Sequence, residues 1–200
     1  MPLEHVNRRG DRYFVLVGKT KTGKPKFYCS KKPGGTPAES LPEDFEIHES
    51  PQTALVTVRK IRPTRLLSFE RGQVVQAIEA YTDLEVFLVE AEGDALVVYT
   101  PDENAGRIID LLEPTRLLAL GGEQSPAVKE LRNSLIRWSN YSKMMRFELK
   151  DADRRCFSAE RWCFRGSYDN WWHLASPAPL QAQLDKYLPH LDKQSFFELL

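Results

Sequence analysis

Hydrophobic residues along this chain occur mainly in short runs that are separated by residues typical of turns. Residues 12–17 and 26–29 are β-prone, and the segment between them is rich in Gly, Lys, Thr and Pro, which predicts a hairpin. Two more hairpins are predicted in the same way at 44–60 and 85–100, the latter with an acidic turn at 92–94. Short links between neighbouring strands favour antiparallel pairing.

Four stretches place apolar residues at helical spacing, and three of them begin at a residue that caps helices well. Ser68 is one such cap, and Thr100 and Ser125 each precede a proline, which suits the first helical position. The apolar stripe of the third helix includes Trp138. The predicted helices cover residues 69–81, about 101–112, 126–138 and 180–191.

Strict alternation of apolar and polar residues at 145–150 predicts another strand, and two more are predicted at 155–159 and 161–165. Together these elements predict an α+β fold, in which three to four helices pack on the faces of antiparallel hairpins.

The length of 200 residues suits a single domain over 1–200, and the glycines near 121–124 are the one candidate joint between subdomains. The pentapeptide Pro-Thr-Arg-Leu-Leu at 63–67 recurs at 114–118, so an internal duplication of a helix and hairpin stays open.

Charge is distributed unevenly along the chain although the formal net charge is zero. Residues 1–32 carry nine Lys or Arg against two acidic residues, whereas residues 33–130 carry eight against eighteen. The zero net charge argues against a global attraction to nucleic acid or to an anionic membrane. The local excesses either attract each other within the fold or present separate patches to partners.

The composition predicts a cytoplasmic protein that does not enter a membrane. The N-terminus lacks the apolar core of a signal peptide, and no window approaches the roughly 18 apolar residues of a membrane span. The cysteines, Cys29, Cys156 and Cys163, are an odd count without a CxxC pair, which indicates reduced thiols.

The segment Val17–Tyr28 has the spacing of a phosphate-binding P-loop up to Lys24. A P-loop needs Ser or Thr after the lysine to hold magnesium, and then a helix. Here Pro25 takes that place and a β-prone run follows, so the same residues are better explained as a hairpin turn with Gly23 in the left-handed region.

No cofactor or metal is predicted. Glu90, Glu92 and Asp94 would share one face of a strand and could hold a divalent cation, but they flank a turn where acidic residues are usually solvated.

The most unusual stretch is 161–173, which holds three of the four tryptophans together with arginine and histidine. Aromatic residues with arginine are typical of binding hot spots, which predicts a surface for a protein partner. The alternative is that these rings pack the sheet against the last helix. The predicted partner-binding residues are Arg161, Arg165, Tyr168, Trp171 and Trp172.

The first hairpin carries Lys19, Lys21, Lys24 and Lys26, with aromatic residues nearby. These lysines could hold the phosphate backbone of a nucleic acid. They could equally protect a sheet edge from pairing with another chain.

Three functions follow from these patterns. The preferred one is a non-catalytic protein-interaction module that uses the 161–173 cluster, and the first alternative is nucleic-acid binding by the lysine hairpin. The second alternative is a small enzyme in which Cys163, His173 and Asp169 take part, although no catalytic motif meets its structural context. Exposure of Trp171 and Trp172 separates the first function from core packing.

Overall fold

The computed structural model describes residues 2–102, 108, 109, 120, 122, 124–164 and 166–199. These residues belong to two compact units, each built from two separate stretches of chain. The first unit combines residues 1–61 and 102–140, and the second combines 62–101 and 141–200.

Strands dominate the described part of the chain. Eleven of them form three antiparallel sheets, and there are three helices. The strands are β1 (Glu4–Val6), β2 (Arg12–Lys19), β3 (Pro25–Ser30), β4 (Thr36–Pro37), β5 (Phe45–Glu49), β6 (Val56–Lys60), β7 (Leu88–Glu92), β8 (Ala95–Pro101), β9 (Tyr141–Asp151), β10 (Cys156–Cys163) and β11 (Asn170–Pro179). The helices are α1 (Ser68–Tyr81), α2 (Pro126–Trp138) and α3 (Leu180–Tyr187), and short 3-10 turns cover Gly166–Tyr168, Leu188–His190 and Gln194–Glu198.

The predicted α+β class, with three to four helices packed on the sheet faces, is therefore wrong. The error lies in the C-terminal third of the chain. Residues 156–163 form one strand rather than parts of two, and 170–179 form a long strand that hydrophobic alternation does not reveal. Bulky aromatic residues such as Trp171 and Trp172 favour strands, because they fit a half-buried pleated surface.

The first unit contains a four-stranded sheet in the order β1-β2-β3, with β4 paired to β2 beside β1, and a separate β5-β6 hairpin. Both hairpins were predicted, and their pairings confirm them. Val15, Leu16 and Val56 are buried here. The Arg8 guanidinium donates to the carboxylate of Glu49 and to two backbone carbonyls just after it, which joins the β1–β2 turn to β5.

The second unit is built on a five-stranded sheet in the order β11-β10-β9-β8-β7. One face of this sheet packs against α1, α3 and the C-terminal 3-10 turns, where Phe147, Phe157 and Leu184 are fully buried. Burial of side chains of this size contributes about 1.5–3 kcal/mol each, so this face carries most of the unit's stability. The opposite face carries ion pairs, among them Arg146 with Glu160 at 2.6 Å.

The predicted helix starts have mixed outcomes. Ser125 caps α2, because its Oγ accepts the Val128 N–H at 3.3 Å. Helix α1 begins one residue early, so Ser68 is its first residue rather than its cap. The helix start predicted at Thr100 is wrong, because that residue lies in β8.

Most of the predicted 101–112 helix lies outside the described residues. The same is true of Gly121 in the candidate joint and of the second Pro-Thr-Arg-Leu-Leu copy at 114–118. None of the described helices has both the length and the apolar character that a bilayer span requires.

An ion pair holds the start of α1 to the β9–β10 turn. Glu70, whose side chain is only 3% exposed, accepts the Leu67 N–H at 2.7 Å and the Arg155 Nε–H at 3.0 Å. We expect Arg155→Gln to lower the free energy of unfolding by about 3 kcal/mol, because a buried carboxylate loses its cation. Urea titration followed by tryptophan fluorescence measures this change.

The matched control is Arg154→Gln, since Arg154 is the neighbouring residue and its side chain is exposed. Its substitution should change stability by less than about 0.5 kcal/mol. Equal losses for the two variants would show that the buried pair does not hold this turn.

A second ion pair makes stability depend on pH. Asp94 accepts the Arg65 backbone N–H at 2.7 Å and its Nε–H at 2.8 Å, and these bonds lower the pKa of the Asp94 carboxyl. A lowered folded-state pKa stabilises the protein above the unfolded pKa of about 3.9, and this contribution is lost as the pH falls through the folded value.

We therefore expect Asp94→Asn to be less stable than wild type at neutral pH, with a difference that shrinks below about pH 5. Urea midpoints measured from neutral pH to below about pH 5 test the prediction. The control is Asp153→Asn, in the exposed β9–β10 turn. A difference that stays constant down to acidic pH would contradict it.

Candidate functional site

The lysine hairpin, defined as residues 19–26 with the adjoining parts of β2 and β3, is built around a closely hydrogen-bonded turn. The Thr20 N–H donates to the Lys24 carbonyl at 2.8 Å, and the Gly23 N–H donates to the Thr20 carbonyl at 2.9 Å. The Thr20 Oγ accepts the Lys24 N–H at 3.1 Å. Gly23 has φ +79°, a conformation that glycine adopts without steric cost. The turn therefore fixes the spacing of the lysines around it.

The hairpin lies in the most basic part of the chain. Residues 12–38 contain seven Lys or Arg and no acidic residue. Two of these cations are paired with acids just outside the stretch, Lys31 with Asp11 at 2.7 Å and Arg12 with Glu4 at 3.3 Å. The hydrogen bond from Lys31 lowers the pKa of Asp11.

The four predicted lysines of the hairpin are all exposed, and none forms an ion pair with an acid among the described residues. They are Lys19, Lys21, Lys24 and Lys26. A group of unneutralised cations on one hairpin attracts a polyanion strongly.

Edge protection accounts for only part of this arrangement. Strand β3 is the last in the order β1-β2-β3, so Lys26 does lie on an outer strand. Lys19, however, belongs to the inner strand β2, and Lys21 lies in the turn. Lysines at these two positions do not guard the outer edge of β3.

Tyr28 adds an aromatic side chain to the same hairpin. It pairs across the strands with Leu16, two residues from Lys26 on the same face of the sheet, and 39% of its surface is exposed. The sequence showed an aromatic residue close to lysines here, but alternation alone could not tell that this residue stays partly exposed.

Strand alternation divides the predicted 161–173 cluster between the two faces of the five-stranded sheet. Trp171 pairs with Trp162 across the strands, whereas Trp172 pairs with Arg161, one position along. Neighbouring residues of a strand point to opposite faces. Trp171 and Trp172 therefore cannot contribute to one surface, and both are half-buried.

The three tryptophans of the 161–173 cluster contact other side chains of the second unit. Trp171 meets Trp162 edge to face, with ring centroids 5.0 Å apart, and the Arg146 guanidinium lies 4.7 Å from the Trp171 ring. Arg161 is buried, donates to the Leu199 carbonyl at 2.8 Å and lies 5.5 Å from the Trp172 ring. These contacts resemble packing more than a vacant binding surface.

The turn between β10 and β11 is the part of the cluster that remains accessible. Tyr168 is 81% exposed and Phe164 is 49% exposed, with the 3-10 turn Gly166–Tyr168 between β10 and β11. Arg165, the remaining predicted residue, lies outside the described residues.

The residues of the enzyme hypothesis do not come together. His173 pairs with Glu160, and Cys163 pairs with Asn170, so the thiol and the imidazole lie on opposite faces of the sheet. Cys163 is buried. Asp169 lies in the exposed turn before β11.

Two of the three acidic residues considered for a cation serve internal ion pairs. Glu92 contacts Lys143 at 3.3 Å and accepts the Tyr99 hydroxyl, while Asp94 holds Arg65. Among the described residues, no three His, Cys, Asp or Glu side chains are grouped so that they could bind a metal ion.

A cavity of about 350 Å³ opens in the first unit beside the end of α2, where Trp138 is exposed in spite of its place in the apolar stripe. The Arg9 guanidinium lies 5.7 Å from the Trp138 ring and donates to the Asn140 Oδ1 at 2.7 Å. The Trp138 ring therefore lines the cavity, and the Arg9 guanidinium beside this ring is already hydrogen-bonded to Asn140.

Comparison with known proteins adds no functional assignment: no protein-family model, curated protein or solved structure matches this chain.

Proposed function

We propose that this protein binds nucleic acid through its lysine hairpin. The observation that carries the proposal is the group of four exposed lysines, unpaired with any described acid, on one hairpin within a 27-residue stretch that has no acidic residue. Nucleic-acid phosphates are the dense, regular anions that such a group fits.

The turn prepares the hairpin for this contact. Because its backbone and Thr20 hydrogen bonds fix the turn, less conformational entropy is lost when the lysines meet phosphates. Lysine binds phosphate as a flexible point charge, so this contact reads the backbone rather than the base sequence. Binding should therefore depend steeply on salt and weakly on sequence.

The proposal predicts that Lys21→Gln with Lys24→Gln weakens oligonucleotide binding about tenfold at low salt. The slope of log K against log salt concentration should fall in magnitude by about 0.7 for each lysine removed. Fluorescence anisotropy with a labelled oligonucleotide of mixed sequence, repeated at several salt concentrations, gives both values.

The charge-matched control is Lys129→Gln with Lys193→Gln, two exposed lysines outside the hairpin. It should leave affinity and slope unchanged. Equal effects of the two pairs, or no oligonucleotide binding by wild type at low salt, would refute the proposal. Aggregation of the hairpin variant with unchanged affinity would favour edge protection instead.

A second candidate function is protein interaction through the turn between β10 and β11. Exposed Phe164 and Tyr168 favour it, since exposed aromatic side chains are typical anchors at interfaces. In this form the proposal places the contact on the turn between β10 and β11 rather than on Trp171 and Trp172, which both lie in β11. A cytoplasmic location and the absence of a cofactor stay predictions from the sequence.

This candidate predicts that a partner recovered with tagged protein from host lysate survives nuclease treatment and is lost from Phe164→Ser with Tyr168→Ser. The control is Phe69→Ser, which removes a comparably exposed ring from α1. A partner released by nuclease, or one lost equally from both variants, would argue against a protein interface at this turn.

A further inference from the structure

The ring of Tyr28 lies across β2 rather than standing beside its own strand. Its Cε1 comes within 3.3 Å of the position that a Cβ at Gly18 would take, and its hydroxyl within 3.4 Å of the corresponding position at Gly35. Gly18 needs no special backbone conformation, because its φ is not in the left-handed region. We therefore explain the glycine at position 18 by packing: a side chain there would crowd the Tyr28 ring.

This support holds the ring in place while leaving part of it accessible. Gly18 and Gly35 both approach the side chain, and 39% of the residue's surface is still exposed. Lys26 follows on the same face, directly across from Gly18 in the register. An anchored aromatic ring beside cations is the arrangement on which single-stranded nucleic acids are bound, with bases stacked on the ring and phosphates held by lysines.

We infer that Tyr28 is a stacking platform for an unpaired base, so that the ligand of the lysine hairpin is single-stranded nucleic acid; this inference rests on the proposed function. In a duplex each base is already stacked on its neighbours, and only lysine contacts with the phosphates remain. In a single strand a base turns onto Tyr28 while its flanking phosphates meet Lys26 and the turn lysines. The chemistry is common to single-stranded DNA and RNA.

The test separates stacking from charge by using probes of equal phosphate number. Three labelled strands of about 15 units suffice: oligothymidine, oligouridine and an abasic deoxyribose-phosphate strand. Wild type should bind the base-containing strands roughly tenfold more tightly than the abasic strand. Tyr28→Leu should abolish that preference and leave the salt slope unchanged, whereas Tyr28→Phe should preserve it.

The lysine variants give the opposite pattern, with a smaller salt slope and an unchanged preference for bases. Affinity for a duplex should be the same in wild type and Tyr28→Leu, and circular dichroism confirms that each variant is folded. Comparing the thymidine and uridine strands shows whether DNA or RNA is preferred.

Salt-dependent binding of all three strands with equal affinity would overturn the stacking role and leave the proposed function standing. A base preference that survives in Tyr28→Leu would also overturn it, because the platform would then lie elsewhere. Failure to bind any strand would overturn the proposed function, and this inference with it.

Discussion

The alternation of side chains along β-strands is the constraint on which the rest of this structure depends. In the second unit it sends Phe147 and Phe157 to the face that α1 and α3 cover, and Arg146 and Glu160 to the other. A shift of one residue in the pairing of β9 with β10 would exchange these two sets and place charges against the helices. The dense apolar face therefore fixes the register, and the register places those residues of the aromatic cluster that lie in β10 and β11.

Charge pairing is the second general feature, and it explains why the lysine hairpin stands out. Several of the described arginines are bonded to carboxylates, as in Arg8 with Glu49, Arg59 with Glu46 and Arg155 with Glu70. In each of these pairs the carboxylate neutralises the charge of the arginine. The hairpin lysines lack such acids in their own segment, which makes their field available to a ligand.

The sequence predicts the local elements well and the global class poorly. The hairpin of β2 and β3 follows from two β-prone runs around a glycine turn, and the Ser125 cap from its proline neighbour. Residues 170–179 could not be predicted as a strand, because both faces of β11 carry large rings and the period of two disappears. The candidate lysines were visible as charges, but the packing of Tyr28 against Gly35 arises only in the folded chain, which brings the two residues together.

The division of each unit into two stretches of chain has a consequence for biosynthesis. Strands β7 and β8 emerge from the ribosome well before β9, which pairs with β8 and completes the core of the second unit. The first unit is interrupted in the same way, because residues 62–101 of the second unit separate its two stretches. Both units thus depend on contacts between segments synthesised far apart, and non-local contacts of this kind slow folding. The nascent chain consequently carries the unpaired edge of β8 until β9 has been made, and unpaired strand edges of this kind promote aggregation.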